Sequence, residues 1–217
     1  MNSKIFAAPI LENIEKAVLA YLQGQKEFLS KEASSSPRAV GDIIQSMIAS
    51  QFKAILGRNA GKYSDDFARR SMADIAFTDL EEYYVLVDVK THNLDTKFNM
   101  PNLTSVERLS RLYEDDKNYF SVLYISYKIV DSEFEVSNVH FMPIEHLSWR
   151  CLTIGALGWG QIQIVNSNNI DIDRGVSRKD WMIQLCDNLL EFYPREIAKI
   201  NDRIAHFKKV REYWIAK

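Results

Sequence analysis

Cysteine is scarce in this chain, long apolar runs are absent, and neither sign of charge dominates. Each shortage removes a class of protein. The two cysteines, Cys151 and Cys186, sit in apolar surroundings without metal-ligand spacing. They speak against a disulfide framework or a structural zinc site and read as buried thiols in a reducing compartment. No apolar run approaches the roughly 18 residues of a membrane span, and the polar start from Met1 to Lys4 lacks the layout of a signal peptide. A cytoplasmic protein without a membrane partner is expected. The net charge of −2 advertises no polyanion globally. Only the end is basic, with Arg203, Lys208, Lys209, Arg211 and Lys217 against Glu212. That run is either a phosphate-contacting patch or a solvated helix face. The histidines His92, His140, His146 and His206 show no ligand spacing, and there is no glycine-rich phosphate loop and no Gly-x-Ser-x-Gly.

What is present belongs to an ordinary globular protein: 47% hydrophobic and 26% charged residues over 217 positions, enough for one domain with a proper core. Residues 8–28 place apolar side chains at helical spacing. Ser36 as N-cap and Pro37 at the first helical position open a second helix, whose stripe runs from Val40 to Leu56 before the break at 57–66. Residues 72–78 and 83–91 read as two strands joined by Asp79–Glu82, a tight antiparallel hairpin. After a polar loop containing Pro101, Thr104 and Glu107 read as a capping box for a helix to about residue 115. Strands are expected over 118–130 and 134–144, then a strand from 158 into an asparagine-rich loop. Ser177 and Asp180 cap a helix to about 192, and a last helix follows Pro194, carrying Ile197, Ile200, Ile204, Phe207, Val210 and Trp214. The order is α/β, with a right-handed crossover expected from the second hairpin strand through the capped helix.

The strand Tyr83–Lys90 ends unusually. Tyr84, Leu86, Asp88 and Lys90 alternate with Val85, Val87 and Val89. With a period of 2, Asp88 and Lys90 share a face, about 7 Å apart along the strand. They are a salt bridge or a catalytic pair. The hairpin places Asp74 within one register step of Asp88, about 5 Å away across the strands. Two aspartates so close repel unless something positive lies between them, and hard oxygen ligands of this kind suit Mg²⁺. Lys90 is then placed to orient or deprotonate a water attacking phosphorus. Asp95-Thr96-Lys97 and Asp115-Asp116-Lys117 repeat the acid-x-lysine spacing, but neither follows an apolar strand.

Ala73-Asp74, a hairpin turn and then Asp88-Val89-Lys90 ending an apolar strand resemble the PD-(D/E)xK nuclease motif, and residues 37–130 resemble that superfamily's core. Ala73 stands in the place of the motif's proline. Gln45, with Asp42 as the nearby alternative, stands where many members carry a helical glutamate. The resemblance implies a restriction-endonuclease-like α/β fold: a mixed central sheet with an antiparallel hairpin, flanked by helices, with helical additions at both ends. It implies catalytic Asp74, Asp88, Lys90 and Gln45, and Mg²⁺ held by Asp74, Asp88 and the Val89 carbonyl. The implied protein is a type II restriction endonuclease, a homodimer cutting a palindromic site in double-stranded DNA. A structure-selective nuclease and a non-catalytic DNA-binding protein of the same fold are the alternatives.

Sequence readout is expected from residues 131–217. Gln161 and Gln163 share one strand face, and Asn166, Ser167, Asn168 and Asn169 crowd one loop. Amides can both donate to and accept from an adenine edge, although Asn and Ser also simply make turns. Arg174, Arg178 and Lys179 would hold phosphates. His92 and Asn93 lie beside the motif and would approach the backbone there.

Overall fold

The computed structural model describes residues 3–25, 36–64, 72–130 and 133–217. A mixed five-stranded sheet organises the fold, with helices on its flanks. Its strands are β1 (Ala60–Ser64), β2 (Ile75–Asp79), β3 (Tyr84–Asn93), β5 (Asn118–Val130) and β6 (Glu133–Pro143), in that order across the sheet. All neighbours are antiparallel except β3 and β5, which run parallel from Tyr84↔Asn118 to Asn93↔Tyr127. A parallel pair must be joined by a crossover, and its central strands are covered on both faces. The burial of β3 and β5 follows from that position.

One face of the sheet carries α1 (Ile10–Gln23) and α2 (Pro37–Leu56). Val85, Val87 and Val89 pack there with Val40, Ile44, Ile48 and Phe52. The other face receives Leu86, Phe120, Val122 and Tyr124. It is covered by α3 (Val106–Leu112), the first turns of α4 (Arg178–Ile215), and a smaller antiparallel sheet. That sheet has the order β4 (Asn102–Ser105), β8 (Gln161–Ile164), β7 (Leu152–Gly155).

The expected second helix, the hairpin and the strand over 118–130 stand where the sequence places them, and Ser36 caps α2 by accepting from Ala39 N–H. Other expectations are corrected. The break after α2 contains β1, an edge strand too short and polar for alternation to mark it. The first helix ends at Gln23, and its expected extension over 26–28 lies outside the described residues, as does most of the following loop.

Thr104 does not cap a helix. It pairs with Ile162 in β4, its hydroxyl buried without a hydrogen bond, and Ser105 takes the N-cap position. The Val106 N–H is satisfied instead by the Gly160 carbonyl at 3.0 Å. Gly160 has φ +127°, and a Cβ there would lie 2.9 Å from Ile154 Cγ2, so only glycine suits this approach. Pro194 does not end a helix either: α4 is continuous for 38 residues. The carbonyl that proline leaves without its N–H is that of the exposed Leu190, on the solvent side of the helix. Cys186 lies exposed on α4, while Cys151 is buried.

Candidate active site

The hairpin turn sets the register on which the site depends. Asp79, buried at the end of β2, accepts from Glu81 N–H at 2.9 Å and Tyr83 N–H at 2.8 Å through one oxygen, and from the Ser3 hydroxyl through the other. Glu82 closes the turn with φ +63°. The strands then pair Ile75 with Val87 and Phe77 with Val85. Asp74, the residue before Ile75, stays bonded to this strand end: its N–H donates to the Val87 carbonyl at 3.0 Å, and its carboxylate lies near enough to Asp88 for the two charges to repel.

Four side chains meet at this strand end. Asp74 Oδ2 accepts from Val89 N–H at 2.7 Å, while its Oδ1 accepts from the Gln45 amide. Lys90 Nζ donates to Asp88 Oδ1 at 2.9 Å and lies 2.8 Å from Oδ2. Asp88 Oδ2 nevertheless has no well-aligned hydrogen bond and is sealed from water. Gln45 reaches the site because α2 runs close to β3. At Gly41, one turn earlier, a Cβ would sit 2.8 Å from Thr91 Oγ1. Of Gln45 and Asp42, Gln45 is the one that bonds Asp74, while Asp42 is exposed.

Burial dominates the electrostatics. Asp88 is 5% exposed. Desolvation pushes its carboxyl up to about 7, with the Lys90 ammonium pulling it down and the Asp74 charge pushing it further up. Asp74 is raised too, chiefly by burial, against the opposing effects of Val89 N–H, Lys90 and Gln45. Two carboxylates thus share a single ammonium, and each holds its proton more tightly than usual. The chemistry of the donor set suits a hard divalent cation: the Asp74 and Asp88 carboxylates, the latter with one oxygen lacking a hydrogen bond, and the Val89 carbonyl would be the protein donors. Among the described residues no group of three or more Asp, Glu, His or Cys side chains is suited to holding a metal, so water and substrate oxygens would complete the shell, as Mg²⁺ commonly requires.

The asparagine-rich loop does come to the site. His92, two residues beyond Lys90 on the same strand face, is 1% exposed and its Nε2 lies 2.9 Å from Asn168 Oδ1. The Asn168 amide nitrogen donates to the carbonyls of Thr96 at 2.9 Å and Lys97 at 3.2 Å. Tyr124, beside Lys90 on β5, donates its hydroxyl to the Ser167 carbonyl at 2.7 Å. Burial raises the Tyr124 hydroxyl to about 12, so it stays a donor.

Several of the expected DNA-contacting residues are engaged within the chain. Asn168 uses both ends of its amide to clamp the loop after β3, Ser167 is buried, and Asn93 caps its own turn by accepting from Asp95 N–H at 2.9 Å. Gln163 donates to Asn102 at 2.6 Å within the small sheet, Gln161 is half-buried beside it, and Asn166 accepts from Asn168 N–H at 3.1 Å. Asn169 remains exposed.

Arg174 pairs with Glu15 at 3.4 Å. Arg178 pairs with buried Glu145 at 2.9 Å and stacks on Tyr113 and Tyr119 at 4.2 and 4.1 Å, which makes it a structural cation. Lys179 is exposed. Tyr124 and Asn102 were not anticipated. The apolar run of β5 marks Tyr124 as buried, but only the parallel register places it beside Lys90.

No protein-family model matches the chain, and no curated protein matches its sequence.

Proposed function

We propose that this protein is a Mg²⁺-dependent endonuclease of the PD-(D/E)xK type with a restriction-endonuclease-like fold. It would act as a homodimeric type II enzyme hydrolysing phosphodiester bonds at a specific, palindromic site in double-stranded DNA. The observation that carries the reading is the cluster at the end of the hairpin: Asp74 bonded to the Val87 carbonyl and the Val89 N–H, Asp88 between those residues with Lys90 two residues on, and Gln45 of the preceding helix on Asp74. The order α2, β1, β2, β3, β4, α3, β5, with β5 parallel to β3, supports it.

Asp74, Asp88 and the Val89 carbonyl would hold Mg²⁺, which supplies polarisation of the phosphate and charge stabilisation at the leaving oxygen. Lys90 stands at the solvent end of this group, its ammonium held by Asp88, and from there orients the attacking water and stabilises negative charge gathering on phosphorus. Gln45 and the Val89 N–H hold the two oxygens of the Asp74 carboxylate in place. His92 and Asn168 tie the asparagine-rich loop to the catalytic strand, so DNA held by that loop has a fixed position relative to Lys90. Exposed Asn169 is the side chain of that loop best placed for base contact.

Incubation with plasmid DNA tests the reading. Discrete fragments in Mg²⁺, with tight binding but no cutting in Ca²⁺ and no cutting in EDTA, are expected. Ca²⁺ accepts the same oxygens at longer distance and in looser geometry, which suits binding and not in-line displacement. Random or branch-dependent nicking would support a structure-selective nuclease instead, and no cleavage would leave Asp88–Lys90 as a structural ion pair.

A further inference from the structure

Trp181 and Leu185 are the residues of α4 that reach the core, yet the helix carries large apolar side chains along its whole length. Leu190, Tyr193, Ile197, Ile200, Ile204 and Phe207 follow at alternating steps of three and four residues, and Ile183 and Trp214 extend the series at its ends. All eight are exposed, from 38% at Tyr193 to 73% at Leu190. A straight helix drifts off a strict 3.5-residue repeat, whereas a supercoiled pair keeps that seam facing its partner over many turns. We propose that α4 is one half of an antiparallel two-helix coiled coil whose other half is α4 of a second copy of this chain.

The covered area is sufficient. Removing roughly 100 Å² per side chain from these eight positions on each copy buries about 1,600 Å², the size of a stable specific interface. The charges select the orientation. The same steps place Cys186 and Arg211 on the seam. A parallel pair sets Arg211 against its own copy and Arg203 beside Lys208 on the flank, so like charges meet. The antiparallel register that sets Ile197 against Ile200 of the second copy instead opposes Arg211 with Cys186, Leu190 with Phe207 and Ile183 with Trp214. It also brings Asp187 beside Lys208, twice by symmetry, and both are exposed. The inference stands on α4 and is independent of the nuclease reading: failure of DNA cleavage leaves it intact.

The 217-residue chain should sediment at twice its 25.1 kDa mass at micromolar concentration, and Ile204→Asp should halve that mass with an unchanged circular dichroism spectrum. Asp187→Lys should weaken association roughly tenfold, and adding Lys208→Asp should restore it. Orientation is read by oxidation. Arg211→Cys should give a covalent dimer that disappears when Cys186→Ser is added, while wild type gives none. This arm needs no destabilised variant. A wild-type monomer at tens of micromolar, an Ile204→Asp dimer, or a wild-type crosslink through Cys186 would each overturn the arrangement.

Discussion

Replacing Asp88 by asparagine removes the charge and keeps the shape. In the folded chain the Asp88 carboxyl titrates at about 7, against an ordinary 3.8, because it is fully desolvated. Between those values the native state holds a proton that the unfolded chain has released. Stability therefore falls as pH rises through this window, by about 1.4 kcal/mol per unit, and levels off above pH 7. The whole effect is about 4 kcal/mol, with the attraction of Lys90 already contained in the shift. Asp88→Asn cannot ionise, so it should match wild type near pH 4 and exceed it by about 4 kcal/mol at pH 8, roughly 8–16 °C in Tm for a chain of this length. Thermal unfolding of both proteins from pH 4 to 8 in EDTA measures this directly, because groups common to both cancel in the difference. Mg²⁺ should then raise the melting temperature of wild type and not of Asp88→Asn, since mass action stabilises only a chain that binds the ion. A stability difference that does not change across this pH range would refute the claim that Asp88 is a desolvated carboxylate.

Lys90→Ala should lower cleavage in Mg²⁺ by about 10²–10⁴-fold while DNA binding in Ca²⁺ persists, whereas replacing Lys97 or Lys117 should leave the rate within a few fold; near-normal cutting by Lys90→Ala would remove it from the chemistry. Asn168→Ala should destabilise the fold by about 1–3 kcal/mol through the loss of its bonds to His92, Thr96 and Lys97, while Asn169→Ala should leave melting unchanged and relax discrimination at one base pair by about 1–3 kcal/mol. The opposite pattern, in denaturation and cleavage-competition assays, would exchange their roles. Arg178→Ala leaves buried Glu145 without its cation and should cost about 3–5 kcal/mol in chemical denaturation; a stable variant with weakened DNA binding would return Arg178 to the phosphate-contacting role.

The strongest elements were legible in the residues because their signals are local. Ser36-Pro37 and the stripe from Val40 to Leu56 specify a helix by capping and a 3.6-residue period, and the hairpin with its Asp79–Glu82 turn brings Asp74 to within one step of Asp88. Thr104-x-x-Glu107 carries an equally local signal, yet it yielded to pairing with β8, residues far along the chain, because a strand place beside Ile162 buries more than a cap would satisfy. Pro194 likewise reads as a stop until the exposure of Leu190 is known. Which glutamine or aspartate of α2 meets Asp74 was undecidable from spacing, since it depends on how closely Gly41 lets the helix approach Thr91. The asparagines and arginines of residues 166–178 show the same division. Side-chain chemistry states what each could bind, but burial and partners decide what it does bind: Asn168 holds a loop, Arg178 neutralises Glu145, and Asn169 alone of these three leaves its amide to the solvent.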